Sequence, residues 1–233
     1  MIEFKGVTKK FGSTIAVDNV TMTFPKGKII GLLGPNGSGK STTLKMIASL
    51  NKPDQGEITI DGKSPSKETR ETLAYLPEID YLYPWMTIEG AGKFMKSFYD
   101  DWNEEKFQSL MKFLNLEPQM IIKKISKGMR AKAKLLLVFS RNAKLVLLDE
   151  PLSGIDIFTR DQIIDTIIQD YCEGEQTIIL STHEIHEVES LLDYVVFMHQ
   201  GTILRQGEAE DLRSEENKSL VELMKEVYRN ENI

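Results

Sequence analysis

Gly34-Pro35-Asn36-Gly37-Ser38-Gly39-Lys40-Ser41 satisfies G-x-x-x-x-G-K-[ST] at every constrained position. Its flanks give the pattern its meaning. Lys28-Ile29-Ile30-Gly31-Leu32-Leu33 is a short apolar run that reads as a buried strand, and Leu44, Ile47 and Ala48 recur at helical spacing beyond it. A chance glycine-rich turn needs neither flank; a phosphate-binding loop needs both. Glycines at 34, 37 and 39 let the backbone approach phosphates closely because no Cβ stands in the way. The free N–H groups and the positive dipole end of the following helix then face the anion. In this pattern Lys40 reaches the β- and γ-phosphates and the Ser41 hydroxyl binds Mg²⁺. Pro35, Asn36, Ser38 and Thr42 are taken with them as nucleotide-binding positions.

The chain has 233 residues, enough to bury a full core. Its 29 Lys and Arg against 35 Asp and Glu leave a net charge of −6, which argues against a nucleic-acid partner. No stretch approaches the roughly 18 apolar residues of a membrane span, and the N-terminus lacks a signal-peptide pattern. The single cysteine, Cys172, cannot form an internal disulfide and is read as a small packing residue. The expectation is a soluble cytoplasmic protein.

Outward from the loop, residues 1–25 alternate apolar runs (Ile2 to Val7, Val17 to Phe24) with turn residues, which predicts antiparallel strands. Ile58-Thr59-Ile60 before Asp61-Gly62 is another strand and tight turn. From about Met86 to Lys134 apolar residues fall at helical intervals, among them Phe94, Met95 and Phe98, then Phe107, Leu110, Met111 and Leu114. That stretch reads as an inserted helical subdomain. Strand-like runs return at Leu145 to Leu148 and Thr177 to Leu180, with Ile163, Ile164, Ile167 and Ile168 between them as the apolar face of a helix. Alternation of this kind predicts a mostly parallel sheet with covering helices, an α/β fold. The tail from Glu208 is polar and helix-prone.

The Leu145–Leu148 run ends in Asp149-Glu150, placing two carboxylates where a strand end can face the loop across the sheet. Asp149 suits a Mg²⁺ shell. Glu150 suits a general base for an attacking water.

Asp149-Glu150-Pro151-Leu152-Ser153-Gly154-Ile155-Asp156, followed by Ser181-Thr182-His183, closely resembles the nucleotide-binding subunits of ATP-binding cassette (ABC) transporters. So does Pro53-Asp54-Gln55-Gly56-Glu57-Ile58-Thr59-Ile60-Asp61-Gly62. The resemblance covers roughly residues 1–210, taken as one ATPase domain with the insert at about 86–134, and leaves 211–233 as a helical tail. It implies an ATPase using ATP and Mg²⁺. In that family Phe11 falls where an aromatic stacks on adenine. Ser126-Lys127-Gly128-Met129 falls at the signature loop, where Ser126 and Gly128 contact the γ-phosphate held by the opposite subunit. Ser153, Gly154 and Asp156 match the loop that crosses the dimer seam, and His183 matches the switch histidine.

Two departures stand out: Lys127 and Met129 replace the commoner Gly and Gln, and Glu78 in Tyr75-Leu76-Pro77-Glu78 replaces a glutamine. A carboxylate ligates Mg²⁺ at least as well as an amide, so Glu78 is expected to reach the metal. Both variants resemble small exporter-type ATPase subunits of Gram-positive bacteria. One chain then holds half of each active site, which implies a second ATPase subunit, identical or not, closing head-to-tail over two ATP molecules. It also implies a separate transmembrane permease, with this chain peripheral at the cytoplasmic face of the membrane. Tyr81, Leu82, Tyr83, Pro84 and Trp85 form an aromatic, apolar stretch suited either to receiving a helix of that permease or to packing the insert against the sheet. The competing readings are a soluble ABC ATPase of translation or DNA repair, a cassette that only binds ATP, and a P-loop kinase or GTPase. The first usually carries two cassettes or a coiled-coil insertion; intact Asp149, Glu150 and His183 argue against the second, and the remaining motifs against the third.

Overall fold

A computed structural model of the chain describes residues 1–171 and 175–230, so the packing role expected of Cys172 falls outside the described residues. The chain opens with an antiparallel hairpin of β1 (Ile2–Phe11) and β2 (Thr14–Phe24). Next come β3 (Ile29–Leu33), α1 (Lys40–Ile47) and β4 (Gln55–Ile60); β4 returns to pair with β1, giving a three-stranded sheet in the order β2-β1-β4. After the short α2 (Lys67–Glu71), β5 (Leu73–Leu76) starts the edge of a larger sheet.

The helical insert holds α3 (Ile88–Lys96), α4 (Glu104–Phe113) and α5 (Lys127–Phe139). Side chains cap these helices: Thr87 accepts from Gly90 N–H at 3.0 Å, Asn103 from Lys106 N–H at 2.9 Å and Ser126 from Met129 N–H at 3.2 Å. Gly92 lets α3 approach α4, since a Cβ there would lie 2.5 Å from Phe107 Cζ. α5 runs beyond residue 134 because Leu135–Phe139 are buried in the core that joins the insert to the large sheet.

The large sheet adds β6 (Leu145–Asp149), β7 (Thr177–Thr182), β8 (Tyr194–His199) and β9 (Thr202–Glu208) in the order β5-β6-β7-β3-β8-β9. All neighbouring pairs are parallel except β8 with β9. Period-two alternation sorts its side chains into two cores. Ile30, Leu32, Leu145, Leu147, Ile179 and Val196 pack with Leu44, Met46 and Ile47 of α1 and with the small sheet. Leu33, Val146, Leu148, Ile178, Leu180 and Phe197 pack with the helical insert, with α6 (Ile157–Asp170) and with the tail. Of the four isoleucines expected on one face of α6, Ile163 and Ile167 are fully buried, whereas Ile168 is 52% exposed. The helical period of 3.6 brings 163 and 167 to one face and turns 168 away.

The tail forms α7 (Ala209–Glu216) and α8 (Leu220–Asn230), and its packing on the rest of the molecule comes from Leu212, Leu220, Leu223 and Tyr228. The Tyr228 hydroxyl donates to Met198 O at 2.8 Å and lies 3.3 Å from Leu33 O, directly before the glycine-rich loop.

Candidate functional site

The helix that follows the glycine-rich loop begins without a side-chain cap. Its N-cap is Gly39 at φ 106°, a left-handed conformation that a side chain would strain, and an added Cβ would lie 2.4 Å from Ala16 O. The first N–H groups of α1 therefore stay available for an anion. The loop walls a cavity of ≈ 360 Å³ through Asn36, Gly37, Ser38, Gly39, Lys40, Ser41 and Thr42, closed by Thr14, Ile15 and Ala16 and by Glu78 and Glu150. The Ser38 hydroxyl in that wall is buried and has no hydrogen-bond partner among the described residues. Gly34 and Pro35 contribute carbonyls instead: Lys40 Nζ donates to them at 2.7 and 3.1 Å.

The carboxylates arrive by sheet register. β6, β7 and β3 are neighbours, with Asp149 beside Ser181 and Thr182 beside Leu33, so three strand ends converge on the loop. Asp149 is 1% exposed. Its Oδ1 accepts from the Ser41 and Ser181 hydroxyls, both at 2.8 Å, and its Oδ2 accepts from the Tyr75 hydroxyl at 3.1 Å. Burial first, and then the Asp149 charge, push the Tyr75 phenol well above its ordinary range.

Glu150 has φ 48°, a conformation uncommon for a residue with a side chain and one that concentrates at functional positions. Its N–H is held by Ser181 O at 3.2 Å and Ser181 Oγ at 3.1 Å. Glu150 Oε1 lies 3.3 Å from Lys40 Nζ, an ion pair without the alignment of a hydrogen bond, and Oε2 lies 3.0 Å from His183 Nδ1. Lysine, glutamate and histidine thus form one chain of contacts at the mouth of the loop.

A family model described as ABC transporter matches residues 17–153. The chain belongs to the ABC transporter family. The ATP-binding protein NatA of Bacillus subtilis is 33% identical over 210 residues, covering 86% of this chain and 85% of that protein. The Fe(3+) ions import ATP-binding protein FbpC of Escherichia coli K12 is 31% identical, covering 91% of this chain and 63% of that protein. A solved ATP-binding subunit of an ABC transporter superposes with a TM-score of 0.86 at 28% identity, covering 98% of this chain and 99% of that one. This ABC subunit is an ATP-binding ATPase of the family, with the antiparallel and mostly parallel sheets that the sequence predicts.

The structure distributes the other expected positions of the ABC subunit unevenly. Glu78, just after β5, lines the loop cavity together with Glu150. Phe11 sits at the end of the β1–β2 hairpin, 50% exposed and with Lys9 Nζ 5.4 Å from its ring centroid, but outside the cavity wall. Ser126 and Gly128 also stand outside that cavity, at the start of α5. Gly128 packs on the first turn of α6, where a Cβ would meet Thr159 Oγ1 at 3.0 Å. Asp156 caps α6: its Oδ1 accepts from Thr159 N–H at 3.0 Å and its Oδ2 from the Thr159 hydroxyl at 2.8 Å, bonds that hold its carboxyl below the usual range.

Sequence reading passed over Tyr75 and Ser181, the other two donors to Asp149. Ser181 directly precedes the Thr182-His183 pair and Tyr75 precedes Glu78 by three, so proximity to a motif was the available signal. It also passed over Arg160, which pairs with Glu187 on the segment after His183.

Ser41 and Glu78 line the cavity and Ser41 bonds to Asp149; all three offer hard oxygen donors, which suits Mg²⁺. The described residues hold no group of three or more His, Cys, Asp or Glu able to bind a metal by themselves.

Proposed function

We propose that this ABC subunit powers export through a separate membrane-spanning partner, closing head-to-tail with a second ATPase subunit over two Mg²⁺·ATP. The carrying observation is the Lys40–Glu150–His183 chain of contacts beside an uncapped helix start. Lys40 is shared between loop carbonyls and Glu150, so phosphates that draw the ammonium to themselves release Glu150 to act as base. Glu150 takes a proton from water as its oxygen bonds to the γ-phosphorus and the bond to the β-phosphate oxygen breaks, leaving ADP and phosphate. His183 orients Glu150 through the 3.0 Å contact. Mg²⁺ bound by Ser41, Asp149 and Glu78 would neutralise phosphate charge. Ser126 and Gly128 stand outside their own chain's loop cavity, which supports their serving the nucleotide of the partner subunit.

The membrane partner is supported by an exposed aromatic ladder on the insert. Tyr83 and Trp85 have ring centroids 4.7 Å apart, Tyr83 and Phe94 5.7 Å, Phe94 and Phe98 4.9 Å. Trp85 is 70% and Phe98 66% exposed, whereas Tyr81 and Leu82 are half-buried, Leu82 against the core. No helix of the described residues is long and apolar enough to cross a membrane. With such a partner the subunit would sit at the cytoplasmic face of the membrane. Export rests on Glu78 and the Ser126-Lys127-Gly128-Met129 variant.

Glu150→Gln tests the chemistry: turnover is expected to fall by about 10²–10⁴-fold with ATP binding retained, and unchanged turnover removes Glu150 as the base. Affinity purification from detergent-solubilised membranes tests the partner; recovery without any polytopic protein removes the transport reading. ATP-dependent accumulation of the partner's substrate inside inverted vesicles is the export outcome, and its absence there with uptake by right-side-out vesicles is the import one.

A further inference from the structure

Lys134 is the one charged residue within the buried stretch Ala133–Phe139 of α5. It is 7% exposed, and its ammonium donates to Pro77 O at 2.8 Å, Glu78 O at 3.0 Å and Ile79 O at 3.2 Å. An ammonium has three donors, and three successive carbonyls of the segment leaving β5 take them. Burial chiefly, with the Lys127 charge adding to it, pushes the group below its ordinary range, and the charges of Asp80, Glu78 and Asp149 oppose that shift. Asp80 already pairs with Arg130 at 2.6 Å. Lys134 is the cation bonded to the Glu78 backbone, and it lines with Glu78 a cavity of ≈ 220 Å³ that Lys127 and Glu150 share.

We propose that Lys134 is a positioning residue for the nucleotide chemistry, holding residues 77–79 so that Glu78 faces the phosphate cavity and balancing its carboxylate. The inference rests on the reading of Glu78 as a metal-facing residue. A glutamine at 78 needs no counter-charge; a carboxylate near Asp149 and Glu150 does, because like charges in a low-dielectric site destabilise one another. A lysine four residues farther along α5 than Arg130 reaches that loop from the helix side. The same ammonium joins two functional parts. α5 begins at Ser126–Gly128, which serves the partner's nucleotide, and Lys134 ties that helix to the loop that serves the chain's own.

The test uses the full chain as wild type, Lys134→Met, Lys134→Gln, Glu78→Gln and the Glu78→Gln/Lys134→Met double variant. Affinity for the non-hydrolysable analogue AMP-PNP is measured calorimetrically with Mg²⁺ and again in EDTA, and amide exchange is followed at residues 78–82. Lys134→Met is expected to weaken the Mg²⁺ complex about tenfold, as loss of an outer-shell partner does. Metal-free binding should be unchanged and exchange at 78–82 faster. On the Glu78→Gln background the Lys134→Met loss should shrink. Wild-type exchange at 78–82 in the Lys134 variants overturns the holding role. Unchanged Mg²⁺ affinity in them, with a shift in Glu78→Gln, overturns the proposal and leaves Glu78 as a ligand. No shift in either removes the Glu78 reading and the proposal with it. Lys134→Gln, which keeps a polar head, carries the same comparisons if Lys134→Met does not fold.

Discussion

Removing one oxygen atom at Tyr75 isolates what holds the buried Asp149 carboxylate. Tyr75→Phe keeps the ring and its packing, so no cavity opens; it deletes only the donor 3.1 Å from Asp149 Oδ2. Oδ1 keeps its two hydroxyls at 2.8 Å, from Ser41 and Ser181, whereas Oδ2 loses the donor that the structure shows for it. A hydrogen bond to a charged group contributes about 1.5–3 kcal/mol. The Tyr75 contact is long for a hydroxyl on a carboxylate, so the lower end applies, about 1.5 kcal/mol. For a chain of this length that corresponds to a fall in Tm of about 3–6 °C. The assay is thermal unfolding of the nucleotide-free protein in EDTA, with Ser181→Ala alongside. Ser181→Ala should lose about as much, about 1–2 kcal/mol: Ser41 still serves Oδ1, but the Ser181 hydroxyl also accepts from Glu150 N–H.

The pH dependence gives a second arm to that experiment. The Tyr75 phenol is pushed above its ordinary value, so its contribution is fully present below the unfolded value of about 10 and is lost only as pH rises through the folded one. The gap between wild type and Tyr75→Phe should therefore stay constant from pH 6 to 9. A Tm difference under about 1 °C, or a gap that closes within that range, would refute the assignment of Tyr75 as a donor to Asp149.

Three other outcomes are expected. Glu187 is pushed up to about 7, chiefly by burial and then by Glu184, from 4.5. Its contribution is fully present below about 4.5 and lost as pH rises through 7. Glu187→Gln should therefore flatten the decline of Tm between pH 5 and 8, and parallel curves for variant and wild type would contradict this. Tyr228→Phe removes the donor to Met198 O and should lower stability by about 1 kcal/mol in chemical denaturation, as long as α8 stays docked. Alanine at Tyr83 or Trp85 should cost only about 0.5–1.5 kcal/mol of stability, through the lost ring contacts, leave ATP binding intact, and abolish stimulation of the ATPase by the proposed membrane partner. Loss of ATP binding in those variants would instead assign the two rings to packing.

The local motifs were legible because backbone requirements and strand periodicity leave marks at short range. Glycine at 34, 37 and 39, with Lys40 and Ser41 after them, specifies a loop and helix start whatever packs around it. The run Leu145–Leu148 ending in Asp149-Glu150 reads as a buried strand with its acids at the tip, and β6 has those bounds to within one residue. The isoleucine face at 163–168 read less well. Four isoleucines in six residues cannot all lie on one helical stripe, and only burial shows that 163 and 167 face inward. The tail was legible as helix and not as core, since Tyr228 donates to a carbonyl 30 residues away and lies beside another 195 residues away.

Sequence by itself determined the ligand chemistry of this protein: a triphosphate loop, acids at a strand end and a histidine after another strand, each a pattern complete within a few residues. The partner of each of those groups was settled by tertiary structure alone. Tyr75 reaches Asp149 across 74 positions, His183 reaches Glu150 across 33, and Lys134 meets the carbonyls of 77–79 across 55 to 57. Such pairings follow from which strands lie side by side and in what register, as with Asp149 beside Ser181. Local propensity carries no record of them, because a side chain's intrinsic preference is the same whichever neighbour the sheet brings to it.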